Sequence, residues 1–200
     1  MARRSQHSQE QIKDMVLQAA ETIVAEDGFA ALKVREIAME IGYTVGSIYM
    51  VFENMADLIM QLKGRALDDI SKQLESVSDN QTPEQQLIEL AKAYLYFAQR
   101  NFNRWSMIFE TRLTAHEATP DWYQQKVDTI FERIENLFKQ LAPDASIEQH
   151  KSAAQALWCG VHGVCILSLN GGLDVLGVKE VENTVVLLVQ SFIKGWVQNL

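Results

Sequence analysis

Apolar residues recur every three to four positions along most of this chain, and the pattern breaks at Gly, Pro, Asn or a Ser/Thr cap. Ile12, Met15, Val16, Ala19, Ala20, Ile23 and Val24 form one such stripe, the spacing of an amphipathic helix. Ser8 and Gln11 fit a capping box at its start, and Gly28 stops it. Val34, Ile37, Ala38 and Ile41 repeat the spacing over a short helix that ends at Gly42, and Thr44 is placed to cap a second short helix. After Asn54 a longer helix carries Leu58, Ile59, Leu62, Ala66, Leu67, Ile70 and Leu74 inward. The polar stretch 76–84 interrupts it, and Thr82 with Pro83 opens the next, to about Arg100. A short aromatic-rich helix is expected within 101–118. A longer one follows Pro120 and ends at Ala142-Pro143, and another runs from about Ser146 to Gly171-Gly172. The last covers about 180–199. The expectation is an all-α chain of about nine helices with no strand.

Composition changes this picture little. An apolar fraction of 48% and a charged fraction of 22% are those of an ordinary globular chain. The opening residues MARRSQHSQEQIKD form no apolar leader, and no uninterrupted apolar run approaches the roughly 20 residues of a membrane span. Cys159 and Cys165 stand about 240° apart around one helix, at about 100° per residue, so they do not bond to each other. A cytoplasmic protein with reduced thiols, and no membrane partner, is expected.

The stretch 32–51 carries the first functional signal. Two short helices joined by a Gly-containing turn are the recipe for a DNA-reading helix-turn-helix. Net charge is -8, yet residues 1–65 hold seven Lys or Arg against nine Asp or Glu, so most of the acidity lies downstream and a local basic face is permitted. Residues 1–7 read as an unstructured start, either a plain solvated terminus or, through Arg3 and Arg4, a basic arm able to reach a groove.

Gly28-Phe29, Ile37-Ala38, Gly42, Thr44, and Tyr49 with Phe52 stand at the fixed spacings of one family pattern. On those residues, over about the first third of the chain, the sequence resembles the TetR family of bacterial transcriptional regulators. Around Trp158-Cys159-Gly160-Val161-His162-Gly163 it is similar to a Trp-His-Gly subclass of that family. The resemblance implies a three-helix DNA-binding domain over 9–69 and a helical ligand-binding and dimerisation domain over 70–200. It implies that Thr44 caps the recognition helix and meets a phosphate, that Gly46 allows close approach to the groove, and that Ser47 bonds a phosphate or base edge. Tyr49 would give its hydroxyl to a phosphate, and Val45 and Met50 would touch thymine methyls. Two positions depart from the pattern: Met55 stands where the family usually has a phosphate-binding Lys, and Lys33 where it often has a Thr cap. Lys33 and Arg35, the only cations between Leu32 and Phe52, are expected to compensate with the arm.

In the second part, Tyr94, Phe97, Trp105, Phe109, Trp122, Trp158, His162 and Cys165 are the candidates for a small-molecule cavity between helices. Aromatic residues at helical spacing also serve simply as core. Gly160 and Gly163 permit close helix packing. The last helix, with Val185, Val189, Phe192 and Trp196, is apolar around much of its circumference and needs cover on more than one side. A homodimer across these two helices follows from the resemblance and would let two-fold symmetry read a near-palindromic operator on double-stranded DNA. The expected function is a dimeric repressor released by a small apolar or aromatic effector. The alternative is a ligand-binding helical dimer with weakened DNA binding. No His here has Glu three residues before it, and no phosphate loop, dinucleotide fingerprint or nucleophile elbow occurs. No enzyme activity, cofactor or metal is expected.

Overall fold

The computed structural model describes residues 7–110 and 119–200. Arg3 and Arg4 lie outside the described residues, as does the segment 111–118. Ten α-helices are present among the described residues: α1 (Gln9–Asp27), α2 (Val34–Glu40), α3 (Val45–Ile48), α4 (Met55–Glu75), α5 (Pro83–Arg100), α6 (Phe102–Glu110), α7 (Asp121–Leu141), α8 (Ile147–Leu169), α9 (Gly172–Val175) and α10 (Val181–Gln198). A 3-10 turn covers Phe29–Ala31. The helix beyond the expected nine is α9, one turn set between Gly171 (φ +73°) and Gly177 (φ +72°). Leu173 anchors it by burial, which a short segment between glycines does not advertise.

The helix starts follow local chemistry. Ser8 Oγ accepts from the Gln11 amide at 3.2 Å and Gln11 Oε1 accepts from the Ser8 amide at 2.8 Å. The same reciprocal pair joins Thr82 and Gln85 ahead of α5, and Ser146 and Gln149 ahead of α8. Each box satisfies two amides that the first turn would otherwise leave without a partner.

The chain divides into two compact units. The described part of the first comprises residues 7–66 and 101–110. Here α1 packs against α2, α3 and α6, burying Val16, Ala20, Val24, Ile37, Ile48 and Trp105 almost completely. Polar groups hold α6 in place. Asn103 Nδ2 donates to the Ala25 carbonyl at 2.9 Å, in the last turn of α1. Lys63, only 3% exposed, donates from Nζ to the Ile108 carbonyl at 3.0 Å, in the last turn of α6. Both fill acceptor sites that a helix C-terminus leaves open, and the ammonium also meets the negative end of the helix dipole. Burial lowers the Lys63 pKa, against a smaller raising effect of Glu110. Glu21 of α1 accepts from Arg65 of α4 at 3.3 Å and from Arg104 of α6 at 3.4 Å, and Arg65 also reaches Asp14.

The second unit comprises Leu67–Arg100 and 119–200. In it α5 packs on α7, α8 and α10, and α8 packs on α7 and α10. Phe138, fully buried, sits edge-on to Trp196 with ring centroids 4.9 Å apart. Arg133 of α7 caps the end of α4, donating to the carbonyls of Leu74 and Val77 and to Asp79. By length and composition α8 could cross a membrane, although Lys151, Gln155 and His162 interrupt its apolar run, in keeping with the expectation that no uninterrupted run approaches a span.

Candidate nucleic-acid interface and ligand site

The turn between α2 and α3 is built from backbone requirements. The Gly42 amide donates to Met39 O at 3.2 Å and the Tyr43 amide to Ala38 O at 3.0 Å. These two bonds close a Schellman motif, whose C′ residue must take a left-handed backbone. Gly42 does so with φ +69°, and a Cβ built there would meet nothing within 4 Å. Glycine is therefore required for the sign of φ and not for space. Thr44, in extended backbone, accepts from the Ser47 amide at 3.2 Å, and its hydroxyl shares a 3.0 Å hydrogen bond with the Ser47 hydroxyl.

The recognition helix is short. Regular helix stops at Ile48, and the amides of Val51 and Phe52 both donate to the Ile48 carbonyl, at 3.0 and 3.1 Å. This tight turn lets Phe52, 2% exposed, enter the core. Thr44, Gly46, Tyr49 and Met50 are exposed, Val45 and Ser47 half-buried, and Ile48 buried. Among the described residues a Cβ on Gly46 would meet only Thr44 Oγ1, at an ordinary 3.7 Å, so no described contact demands glycine there.

Lys33 and Arg35 are exposed at the start of α2. Lys33 occupies the N-cap position without a side-chain cap, as an ammonium with no acceptor lone pair must. Met55 is half-buried at the start of α4. Asn54 Oδ1 accepts from the Asp57 amide at 2.9 Å, and Asp57 accepts from the Glu53 amide at 3.0 Å. The amino end of α4 is thus occupied by a carboxylate of the chain itself, which repels a phosphate where the family usually places a lysine. His7, read from sequence as part of an unstructured start, shares a 2.7 Å hydrogen bond from Nδ1 with the Tyr43 hydroxyl. It ties the start of the described chain to the turn that precedes α3. No local spacing signals this contact across 36 residues.

The eight cavity candidates separate. Tyr94 and Phe97 on α5 and Trp158, His162 and Cys165 on α8 belong to the second unit. The Tyr94 hydroxyl and His162 Nδ1 are 2.9 Å apart, and the Trp158 and His162 rings stack at 4.8 Å. Phe131 of α7, which helical periodicity does not single out, lies edge-on to Trp158 at 5.8 Å. Burial lowers the His162 pKa, which favours the neutral imidazole, with one ring nitrogen donating and the other accepting. Cys165 is fully buried, and that burial pushes its thiol up to about 12. Trp122, 39% exposed, pairs with Tyr123 more than two turns along α7 from Phe131. Trp105 and Phe109 sit on α6 in the first unit, in contact with each other at 5.6 Å. There Trp105 is core, because α6 turns it inward under α1. Elsewhere in the second unit is an open cleft of about 250 Å³ lined by Gln73, Ser76, Glu89, Lys92 and Tyr96. Val77 and Ala93 add apolar surface to it, and Lys92 is already held by Glu89 at 3.1 Å and Glu182 at 3.2 Å.

The candidate dimer residues also separate. Val185 and Val189 are fully buried within a single chain, and Phe192 and Trp196 pack on Phe138. These four face the protomer's own core, because α10 turns its most apolar side toward α5 and α8. The side left open carries Leu187 (65% exposed) and Val197 (41%). On α8, a Cβ on Gly160 would come to 3.1 Å from Leu188 Cδ2, so this glycine seats α10 against α8 within the chain. A Cβ on Gly163 would meet nothing within 4 Å, and the exposed Cys159 stands one turn before it.

Comparison with known proteins agrees with this geometry. Residues 87–192 match the family described as tetracyclin repressor-like, C-terminal domain, and residues 16–62 match the bacterial regulatory proteins of the tetR family. The chain is 24% identical over 175 residues to an uncharacterized HTH-type transcriptional regulator of Mycobacterium tuberculosis, covering 88% of this chain and 78% of that protein. Its fold is similar to that of a protein of unknown function from Rhodococcus sp. RHA1, with a TM-score of 0.73, 18% identity and 98% of each chain covered. It is also similar to a tetR-family transcriptional regulator from Streptomyces coelicolor, with a TM-score of 0.68, 13% identity and coverage of 95% and 88%. With both its helix-turn-helix and more than half of its length matched, the chain belongs to the tetR family of DNA-binding transcriptional regulators.

Proposed function

We propose that this regulator is a homodimeric, cytoplasmic repressor, held on a near-palindromic operator and released by a small apolar or aromatic effector. One observation carries the effector part of this reading. A hydrogen-bonded Tyr94–His162 pair, its tyrosine buried and its half-buried imidazole stacked on Trp158, lies in a compact unit that holds no part of the helix-turn-helix. A neutral imidazole between two aromatic rings offers a flat apolar surface and one orienting polar group, the usual make-up of a small-molecule site. In this reading residues 9–69 read DNA and 70–200 bind the effector and the second copy. The open sides of α8 and α10, around Cys159, Gly163, Leu187 and Val197, form the dimer contact.

At the DNA, Thr44, Ser47 and Tyr49 give hydroxyls to phosphate, Val45 and Met50 touch thymine methyls, and Lys33, Arg35, Arg3 and Arg4 supply charge. Effector binding releases the operator by favouring a dimer whose recognition helices no longer match two half-sites one helical turn apart. The test is a footprint on the DNA upstream of the protein's own gene, at low salt. Aromatic and aliphatic compounds are then screened by quenching of tryptophan fluorescence. The expected result is one protected near-palindrome, released by the compounds that quench, with quenching lost in Trp158→Leu. Absence of any protected near-palindrome overturns the operator assignment. Quenching compounds that leave the footprint intact overturn the effector assignment.

A further inference from the structure

We propose that Met50 is a site of reversible oxidation through which peroxide weakens operator binding, an inference that rests on the DNA-reading role assigned above to α3 and the turn after it. The described methionines fall into two groups. Met60 and Met107 are buried at 7% and 1% exposure, and Met15 and Met55 are half-buried. Met39 and Met50 are 74% and 71% exposed, and both stand on the helix-turn-helix, Met39 in the last turn of α2 and Met50 just past α3. The fold therefore shelters its other described thioethers and leaves two open to solvent on the motif that meets DNA. Met50 is flanked by Tyr49, 43% exposed, and follows the capped turn at Thr44 and Ser47.

The chemistry needs only a hydroperoxide. A sulfur lone pair attacks one oxygen of hydrogen peroxide, an S–O bond forms and the O–O bond breaks. The sulfur is oxidised by two electrons, and the departing hydroxide takes up a proton to leave as water. The product sulfoxide is polar and accepts hydrogen bonds without donating any. Placed against a thymine methyl it loses an apolar contact, and placed near phosphate it sets acceptor against acceptor. The only cations between Leu32 and Phe52 are Lys33 and Arg35, both at the start of α2 and at least 15 positions before Met50. Sulfoxide reductases reverse the step.

The experiment uses the full chain and a fluorescent duplex carrying the protected near-palindrome. Protein treated with hydrogen peroxide is mapped by peptide mass spectrometry and titrated by anisotropy. The expected result is addition of one oxygen at Met39 and at Met50, with affinity down about tenfold. Treatment with methionine sulfoxide reductases and a thiol reductant restores it. Peroxide leaves the affinity of Met50→Leu at the value its own untreated form shows, whereas Met39→Leu loses affinity as wild type does. Duplex bound beforehand slows oxidation at Met50 more than at Met39. Equal loss of affinity in oxidised Met50→Leu and oxidised wild type overturns the proposal, as does full affinity in protein with Met50 converted to sulfoxide. Failure of the reduced wild type to bind any duplex overturns the DNA-reading assignment, and this proposal with it.

Discussion

Replacing Gly46 and Gly42 separately by alanine distinguishes a glycine kept for DNA from one kept for the fold. At Gly46 φ is not positive, and the new methyl would lie 3.7 Å from Thr44 Oγ1, an ordinary contact. Alanine restricts the unfolded chain and suits a helix, so Gly46→Ala should be neutral or stabilising by up to about 1 kcal/mol. For a chain of this length that is a rise of roughly 0–4 °C in melting temperature. At Gly42 the methyl has open space, but φ is +69°, and a left-handed backbone costs a residue with a Cβ about 1–2 kcal/mol. Gly42→Ala should therefore melt roughly 2–8 °C lower. Against DNA the order reverses. The Gly46 methyl points out of the protein at the recognition helix, and forcing a methyl into a close-packed interface costs about 1–3 kcal/mol, a loss of roughly 5- to 150-fold. Gly42→Ala, where it remains folded, should bind with little change. Circular dichroism melts and anisotropy titrations at one fixed salt concentration supply both readings. If Gly46→Ala binds the operator with wild-type affinity, or melts well below wild type, the assignment of Gly46 to groove approach is refuted.

Other substitutions address the remaining features. Lys33→Ala and Arg35→Ala should each lower the slope of log affinity against log salt by about 0.9 if each neutralises one phosphate; an unchanged slope removes that residue from the interface. Gly160→Leu should destabilise the chain by about 1–3 kcal/mol, because a side chain there meets Leu188. Gly163→Leu should instead melt near wild type but sediment as a monomer, since a Cβ there meets no atom of the described residues within 4 Å. In native protein at pH 8 a thiol reagent should modify Cys159 and spare Cys165, whose thiolate fraction at a pKa of about 12 is about one in ten thousand; equal reaction of both would show that α8 opens. Burial lowers the His162 pKa below its ordinary 6.5, so just below 6.5 the unfolded chain binds a proton that the folded chain refuses. Stability should fall as pH drops through that window, and His162→Gln should flatten this part of a melting-temperature profile.

What could be read in advance was what the chain decides locally. Ser8 with Gln11, Gly42, and Thr44 with Ser47 act within four residues of one another, so their spacing alone announces a cap or a turn. Faces and partners are another matter. Val185 and Val189 are indistinguishable by periodicity from residues awaiting a second subunit. Only the positions of α5 and α8 show that the protomer covers them itself. Trp105 and Trp158 look alike as aromatic residues on apolar helices, yet one is core beneath α1 and the other stacks on His162. Lys63 carries no signal of burial, because its partner, the Ile108 carbonyl, is a backbone group 45 positions away. Likewise the link from His7 to Tyr43 depends on where α1 begins relative to the α2–α3 turn.

The docking of α6 on α1 bears on how this DNA-reading unit can be cut or exchanged. A fragment ending at residue 69 would retain Glu21, Lys63 and the end of α1 but lose Arg104, the Ile108 carbonyl and the Asn103 amide that satisfy them. It would also lack Trp105, and the apolar surface of α1 beneath it would meet water. The helix-turn-helix of this protein is therefore not a portable cassette. A chimera that moves it onto another effector-binding body must carry residues 101–110 with it, or supply a host helix that presents the same amide, guanidinium, indole and carbonyl to α1 and α4.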